Sequence, residues 1–378
     1  MKHILVLGNG FDIAHEYDTK YENFYDFCMV LKRFNNRYID ESLRKDIADT
    51  MIKKNFKKSA ANAVMYVTDL ILLRMMDVCK KNYWLELMKR KKTQDDNDWC
   101  NIEKLIENEI ILIDNVILKI GSSNYQYTRE ISLQQDEISR VNHLIKAYAL
   151  NNNTLKGVKE FKNKIKDDLD KVTWLLNCYL SMFLNKKKKQ YPFFISLPVN
   201  YIINFNYTDN YRLLYNKLDV PIHFIHGKAT REEKKLNLVF GIGDSIKNLD
   251  NDYDYIEFQK YYQRIIKKTG NDYVRWLNSV NSVEAINVYI FGHSVNVVDG
   301  DIIKRLILRE HTHIFIFYYD QDSLNSIVLN LVIILGKEKL IEYTNKEKIV
   351  FVKNDLESSF GVNSDVSKQE NQVYIPSF

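Results

Sequence analysis

Lys2-His3-Ile4-Leu5-Val6-Leu7-Gly8-Asn9-Gly10-Phe11-Asp12-Ile13-Ala14-His15 opens the chain. Lys2–Leu7 is an apolar run of strand length, and Gly8-Asn9-Gly10 stops it abruptly. A helical pattern follows at once. In α/β proteins a strand that runs into a Gly-x-Gly turn and a helix is a common holder of phosphates and nucleotides. The glycines allow close backbone approach, and the helix start offers unpaired N–H groups. Gly8, Asn9, Gly10, Phe11 and Asp12 are therefore the first candidate binding residues.

Beyond Phe24 strand signals stop, and residues 25–190 carry helical periodicity rich in Ala, Leu, Met, Lys and Glu. Val64–Met76 is apolar on nearly all sides and reads as one buried helix; a further helix is expected from Trp99 to about Leu118. From Phe193 the texture changes to short β-branched and aromatic runs alternating with helical patterns. Candidate strands are 201–205, 222–225, 238–241, 286–291, 313–318 and 349–352, with helices near 209–218, 299–309 and 323–335. The expected fold is a doubly wound, mostly parallel α/β sheet of Rossmann-like type with a large helical insertion. Its domains would be residues 1–24 plus 195–353 for the sheet, 25–194 for the insertion, and 354–378 as a tail.

Composition narrows the class. The chain has 378 residues, enough for this two-part organisation, and is 46% hydrophobic and 27% charged, which excludes disorder as the default. A net charge of +5 is too small to point to nucleic acid. Basic runs at 53–54, 57–58, 80–81 and 89–92, with Tyr83 and Trp84 between them, read as solvated helix faces. Cys28, Cys79, Cys100 and Cys178 are scattered and form no Cys-x-x-Cys, so neither a zinc site nor a disulfide framework is expected. The N-terminus lacks a signal-peptide pattern, and Ile327–Leu335 is too short to span a bilayer. A cytoplasmic location with no membrane partner is expected.

Ligands of open α/β sheets bind beyond the carboxyl ends of the strands. Five candidate strands end in polar or small clusters: Gly8 to Asp12; Asn206, Thr208 and Asp209; His226-Gly227; Gly241, Gly243 and Asp244; and Gly292-His293-Ser294, with Asp299 shortly after. Five such clusters on one edge imply a single pocket. Each also has a structural reading: the glycines as turn formers, Asn206 as a helix cap, Ser294 as an N-cap. A hydride-transfer Rossmann loop needs a third Gly where Ile13 stands, and no P-loop motif exists. Neither His223/His226 nor His311/His313 has further ligands to complete a metal site, so no metal is expected. Gly292-His293-Ser294-Val295-Asn296 resembles a nucleophile elbow with Asn296 in place of its last Gly, which leaves a Ser294 hydrolase as a minor alternative.

The motif order resembles the AbiH-type abortive-infection proteins of bacterial phage defence. The resemblance rests on Leu7 to His15, Thr19-Lys20-Tyr21 with Phe24, Trp99 with Ile102-Glu103, Phe205 to Thr208, His226-Gly227, and Gly292-His293-Ser294 with Asp299. Glu16-Tyr17-Asp18 departs from the Gly-Leu-Pro-like turn usual there. More distantly, the order is similar to the sirtuin-like NAD-binding fold, without the zinc cysteines. That likeness implies NAD or a related nucleotide as substrate or ligand. It places the Asn of that fold at Asn206, its catalytic His at His226, and adenosine-side contacts at Gly292 and Ser294. It further implies NAD consumption rather than lysine deacylation. Hydrolysis of the nicotinamide–ribose bond needs a base for water, a role a neutral His fills near pH 7. It also needs an amide to orient the water and ribose. Asp12, Asp244 and Asp299 are candidates for the ribose hydroxyls, and Glu103, on the helical insertion, for the pocket mouth. The alternative is a non-catalytic nucleotide sensor signalling through its helices. Either role would accommodate a phage-derived trigger and self-association, which the sequence does not specify.

Overall fold

A computed structural model describes residues 1–34, 38–93, 101–121, 135–148, 154–184, 189–243, 252–354 and 356. The chain divides into two compact units: Met1–Lys20, Leu184–Leu238 and Lys268–Phe378 form the first, and Tyr21–Phe183 with Val239–Lys267 the second.

The first unit is a mixed α/β structure around six strands. These are β1 (Lys2–Leu7), β2 (Tyr201–Asn204), β3 (Ile222–Phe224), β4 (Ile286–Phe291), β5 (Thr312–Tyr318) and β6 (Ile349–Lys353). All pair in parallel, in the order β3-β2-β1-β4-β5-β6. This is the order of a doubly wound nucleotide-binding sheet, with its topological switch point between β1 and β4. The strands read as unbroken apolar runs because both faces are covered. Ile4, Val6, Ile203, Val288, Ile290, Ile314 and Ile316 enter one core, with Tyr273, Ile303, Leu306 and Leu331 from helices. Leu5, Leu7, Ile202, Tyr289, Phe291, Phe315 and Phe317 enter the other, with Phe11, Phe193, Phe194, Tyr211 and Tyr215.

The helices of this unit are α1 (Asn9–Ala14), α2 (Pro192–Ser196), α3 (Asn210–Tyr215), α4 (Asp272–Ser279), α5 (Gly300–Leu308), α6 (Gln321–Leu335) and α7 (Lys337–Asn345). The start of α6 shows a local sequence cause. Asp320 accepts from the Ser323 N–H at 2.8 Å, while the Ser323 hydroxyl takes the Asp320 N–H at 2.9 Å, a reciprocal capping box.

The second unit is helical, with helices that include Tyr21–Lys32, Glu41–Lys53, Asp69–Lys80, Tyr83–Thr93, Ile102–Gly121, Gln135–Tyr148 and Thr154–Cys178. Asn82 starts the helix Tyr83–Thr93 by accepting from the Trp84 and Leu85 N–H groups at 3.1 and 3.3 Å. The buried Trp84 indole then donates to the Ile165 carbonyl at 2.8 Å. Among the described residues, no helix is long and apolar enough to cross a membrane.

Two sequence readings are corrected. Residues 64–76 are not one buried helix. The 3₁₀ turn Ala63–Tyr66 ends before Thr68, whose side chain caps Asp69–Lys80, and Tyr66 and Leu70 are 88% and 78% exposed. Residues 238–241 form no strand of the sheet and bound no sheet edge. The Gln263 amide donates to the Phe240 carbonyl and accepts its N–H, both at 3.0 Å. For Phe240 one side chain thus supplies the two bonds that a neighbouring strand would have made.

Candidate functional site

At the switch point the loops after β1 and β4 close on each other. Gly8 N–H donates to the Phe291 carbonyl at 3.0 Å, and Gly10 N–H to the Gly292 carbonyl at 2.8 Å. A Cβ on Gly8 would stand 2.4 Å from the Gly292 carbonyl oxygen, and one on Gly292 would stand 2.3 Å from the Phe11 nitrogen. Gly292 also has φ +66°, in the left-handed region. The glycines are therefore required by loop-on-loop packing. Asn9 pins the same turn: its Oδ1 accepts from the Thr19 hydroxyl at 2.6 Å. Phe11 is fully buried against His15, Phe194 and Tyr211 and serves the core.

The loop after β2 is tied to the loop after β1 by polar contacts. Asn206 donates through Nδ2 to the Gly8 carbonyl at 3.0 Å, so its side chain bonds the neighbouring loop and does not cap α3. Asn204, the last residue of β2, accepts from the Asn206 N–H at 2.9 Å and donates to the Thr208 carbonyl at 2.8 Å. Asp12 is buried and accepts from the Thr208 hydroxyl at 2.6 Å and the Asn210 amide at 2.9 Å. Burial pushes its carboxyl up to about 6, against the downward pull of those two donors. Asp209 pairs with Arg212 and, at 2.8 Å, with Lys228.

Beyond the ends of β3 and β4 lies a carboxylate between two imidazoles. Asp299 Oδ1 is 3.1 Å from His226 Nε2, and its Oδ2 is 3.6 Å from His293 Nε2. All three residues are buried. Phe205 covers both rings, with centroid separations of 5.6 Å to His226 and 4.3 Å to His293. The Val295 N–H donates to His293 Nδ1 at 2.9 Å. In neutral His293 the proton is therefore on Nε2, facing Asp299. Val295 reaches that position with φ +53°, a conformation costly for a β-branched residue. Gly227 at φ +79° turns the chain immediately after His226.

These motifs fall within one family. The family model described as bacteriophage abortive infection AbiH matches residues 4–319. The chain belongs to the AbiH family. Membership gives it a role in bacteriophage abortive infection. No curated protein and no solved structure gives a significant match.

In this AbiH chain His226, His293 and Asp299 come together, while Asn206, Thr208 and Asp12 form a second set linked through the Gly8 loop. A cavity of about 730 Å³ opens beyond β4, β5 and β6; Gly10, Gly292, His293 and Ser294 line it with Phe317 and Asn354. His293 both lines this cavity and faces Asp299. Ser294 is exposed, and among the described residues no histidine bonds its hydroxyl, so the elbow reading lacks its base. The positive φ of this turn sits on Val295, one residue later.

Gly241 and Gly243 belong to the second unit, where the Gly241 backbone lies against the Phe258 carbonyl; Asp244 and Trp99 lie outside the described residues. Glu103, in the same unit, pairs with buried Lys260 at 2.6 Å. Sequence reasoning missed Asn210, Val295 and Asn354. Asn354 directly follows β6, so it too stands at a strand end.

Proposed function

We propose that this AbiH protein acts in abortive infection by hydrolysing the N-glycosidic bond of NAD or a related nucleotide. The observation that carries the reading is the His226–Asp299 pair at the carboxyl edge of a parallel sheet. Asp299 sets the tautomer: the proton sits on Nε2 toward the carboxylate, which makes Nδ1 the basic nitrogen. In the reaction the C1′–N bond breaks with its electron pair passing to the pyridine nitrogen, so nicotinamide leaves neutral. Water forms the new C1′–O bond and gives its proton to His226. Asp299 stabilises the resulting imidazolium, and general-base catalysis of this kind contributes ~10²–10⁴-fold. Asn206, held against the Gly8 carbonyl, supports the wall of the site. The similarity to sirtuin-like proteins rests on motif order alone.

The test is release of nicotinamide from NAD by purified protein, with and without lysate of phage-infected cells. Release by wild type and its loss in a folded His226→Ala variant are expected. Undiminished release by that variant would remove His226 from the chemistry. A second reading, a nucleotide sensor, is favoured by the cavity, whose lining is mostly aromatic and aliphatic. Nucleotide binding without turnover in both conditions would select it.

A further inference from the structure

Three N–H groups of the glycine loop are spent within the chain. A phosphate at a strand-to-helix turn is held by backbone N–H groups that such a turn leaves unpaired. Here the Gly8 N–H donates to the Phe291 carbonyl at 3.0 Å, the Gly10 N–H to the Gly292 carbonyl at 2.8 Å, and the Phe11 N–H to the Gly8 carbonyl at 2.9 Å. In the facing loop His293 Nδ1 takes the Val295 N–H at 2.9 Å. Arg212 and Lys228, on the β2 and β3 side, both pair with Asp209. The two loops border the cavity beyond β4, β5 and β6 through Gly10, Gly292 and His293. No Asp, Glu, Lys or Arg is among its described lining residues.

What the cavity offers instead is aromatic surface and hydroxyls. Phe291, Phe317, Tyr318 and Tyr319 line it, together with the exposed Ser294 and Ser326. Its volume of about 730 Å³ is in the range of small-molecule sites. A phosphate brought there would lose water and gain neither a cation nor any of these four N–H groups. An acyl chain would cover the aromatic surface and gain nothing from the hydroxyls. A neutral heteroaromatic base with its ribose uses both: the ring meets the aromatic side chains and the sugar hydroxyls meet the serines. We infer that this cavity is a site for the uncharged nucleoside part of a ligand, whose phosphates stay in water and add no affinity. The inference rests on the nucleotide reading above and deepens it. The adenosine end of NAD has this chemistry, whereas its cationic nicotinamide ring would meet no carboxylate among the described lining residues.

Calorimetric titration with adenosine, AMP and ADP tests it without requiring turnover. All three are expected to bind within about threefold of one another, because phosphates in water interact with the protein only through screened charge. For the same reason a severalfold rise in salt should leave ADP binding nearly unchanged. Ser294→Trp and Ser326→Trp each bring an indole into the cavity from an exposed position, one from the β4 loop and one from α6. Each should abolish binding of all three ligands at an unchanged urea midpoint. A gain with phosphate of roughly tenfold or more, the order supplied by one charged hydrogen bond, would overturn the inference. So would no binding of adenosine, or adenosine binding that keeps its wild-type strength in either tryptophan variant. Failure of the hydrolytic reading shows separately, as adenosine binding that obeys these rules with no nicotinamide released from NAD.

Discussion

The Gly10 N–H donates to the Gly292 carbonyl at 2.8 Å, and neither residue has room for a side chain. Gly292→Ala should be strongly destabilising. Its Cβ would press on the Phe11 nitrogen at 2.3 Å, and φ +66° adds strain. A loss of about 3 kcal/mol or more is expected, read as a shift of the urea midpoint at unchanged slope. Gly10→Ala, whose Cβ would lie 2.6 Å from the Gly292 Cα, should follow the same course. If these glycines instead serve only ligand approach, both variants would keep wild-type stability and lose nucleotide binding.

Asp299→Asn offers a sharper probe of the base than deletion. An Asn amide that donates to His226 Nε2 forces the imidazole proton onto Nδ1 and removes the basic nitrogen from the reacting side. Nicotinamide release should fall by ~10²–10⁴-fold, with the melting temperature changed by only a few degrees. Turnover within twofold of wild type would rule out a carboxylate-set tautomer.

Asp12 and His15 make opposing demands on stability as pH changes. His15 is buried, donates through Nδ1 to the Phe11 carbonyl at 2.7 Å and accepts the Tyr215 hydroxyl at 2.7 Å on Nε2. Burial pushes its imidazole down to about 4, from an ordinary 6.5, so the folded protein keeps it neutral. Stability from this group is fully present above pH 6.5 and is lost as pH falls toward 4. The Asp12 carboxyl is raised from 3.8 to about 6, so the folded state binds its proton more readily than the unfolded state does. Asp12 therefore stabilises as pH falls from 6 to 4 and destabilises above that window. Each is worth roughly 3 kcal/mol across its range. In denaturation curves between pH 4 and 7, Asp12→Asn should be more stable than wild type above pH 6 and should lose stability more steeply on acidification. A variant curve parallel to wild type throughout would show that Asp12 ionises normally.

The sheet was legible because its strands are covered on both faces. Ile4, Leu5, Val6 and Leu7 are all buried, and such runs stand out without any periodicity. Leu238–Gly241 has the same appearance, but the Phe240 backbone is bonded by the distant Gln263 amide and not by a strand of the sheet. Thr68 shows the converse: one capping residue inside an apolar stretch divides what composition reads as a single helix. For the site, strand ends pointed to His226, His293 and Asp299. Their convergence on one carboxylate depends on the β1–β4 pairing and on the Val295 turn, neither of which local pattern encodes. Gly8, Gly10 and Gly292 permit a close backbone approach, and the structure shows one such approach between two loops of the same chain.

Glu103 separates a structural role from a functional one. In the second unit its carboxylate meets the Lys260 ammonium at 2.6 Å, and the lysine side chain is only 3% exposed. Removing one member of a buried pair withdraws compensation from a charge that stays desolvated, which costs up to several kcal/mol. Replacing both by apolar residues removes the charges together and is often neutral. Glu103→Leu should therefore destabilise by roughly 3 kcal/mol, and Glu103→Leu combined with Lys260→Met should recover most of that loss. Glu103→Gln, which keeps an oxygen acceptor, should fall between wild type and Glu103→Leu. A residue held for ligand contact gives the opposite pattern: unchanged stability in all three variants and weakened nucleotide binding in each that lacks the carboxylate. A double-mutant cycle in urea, with nucleotide titration of the same samples, distinguishes the two outcomes.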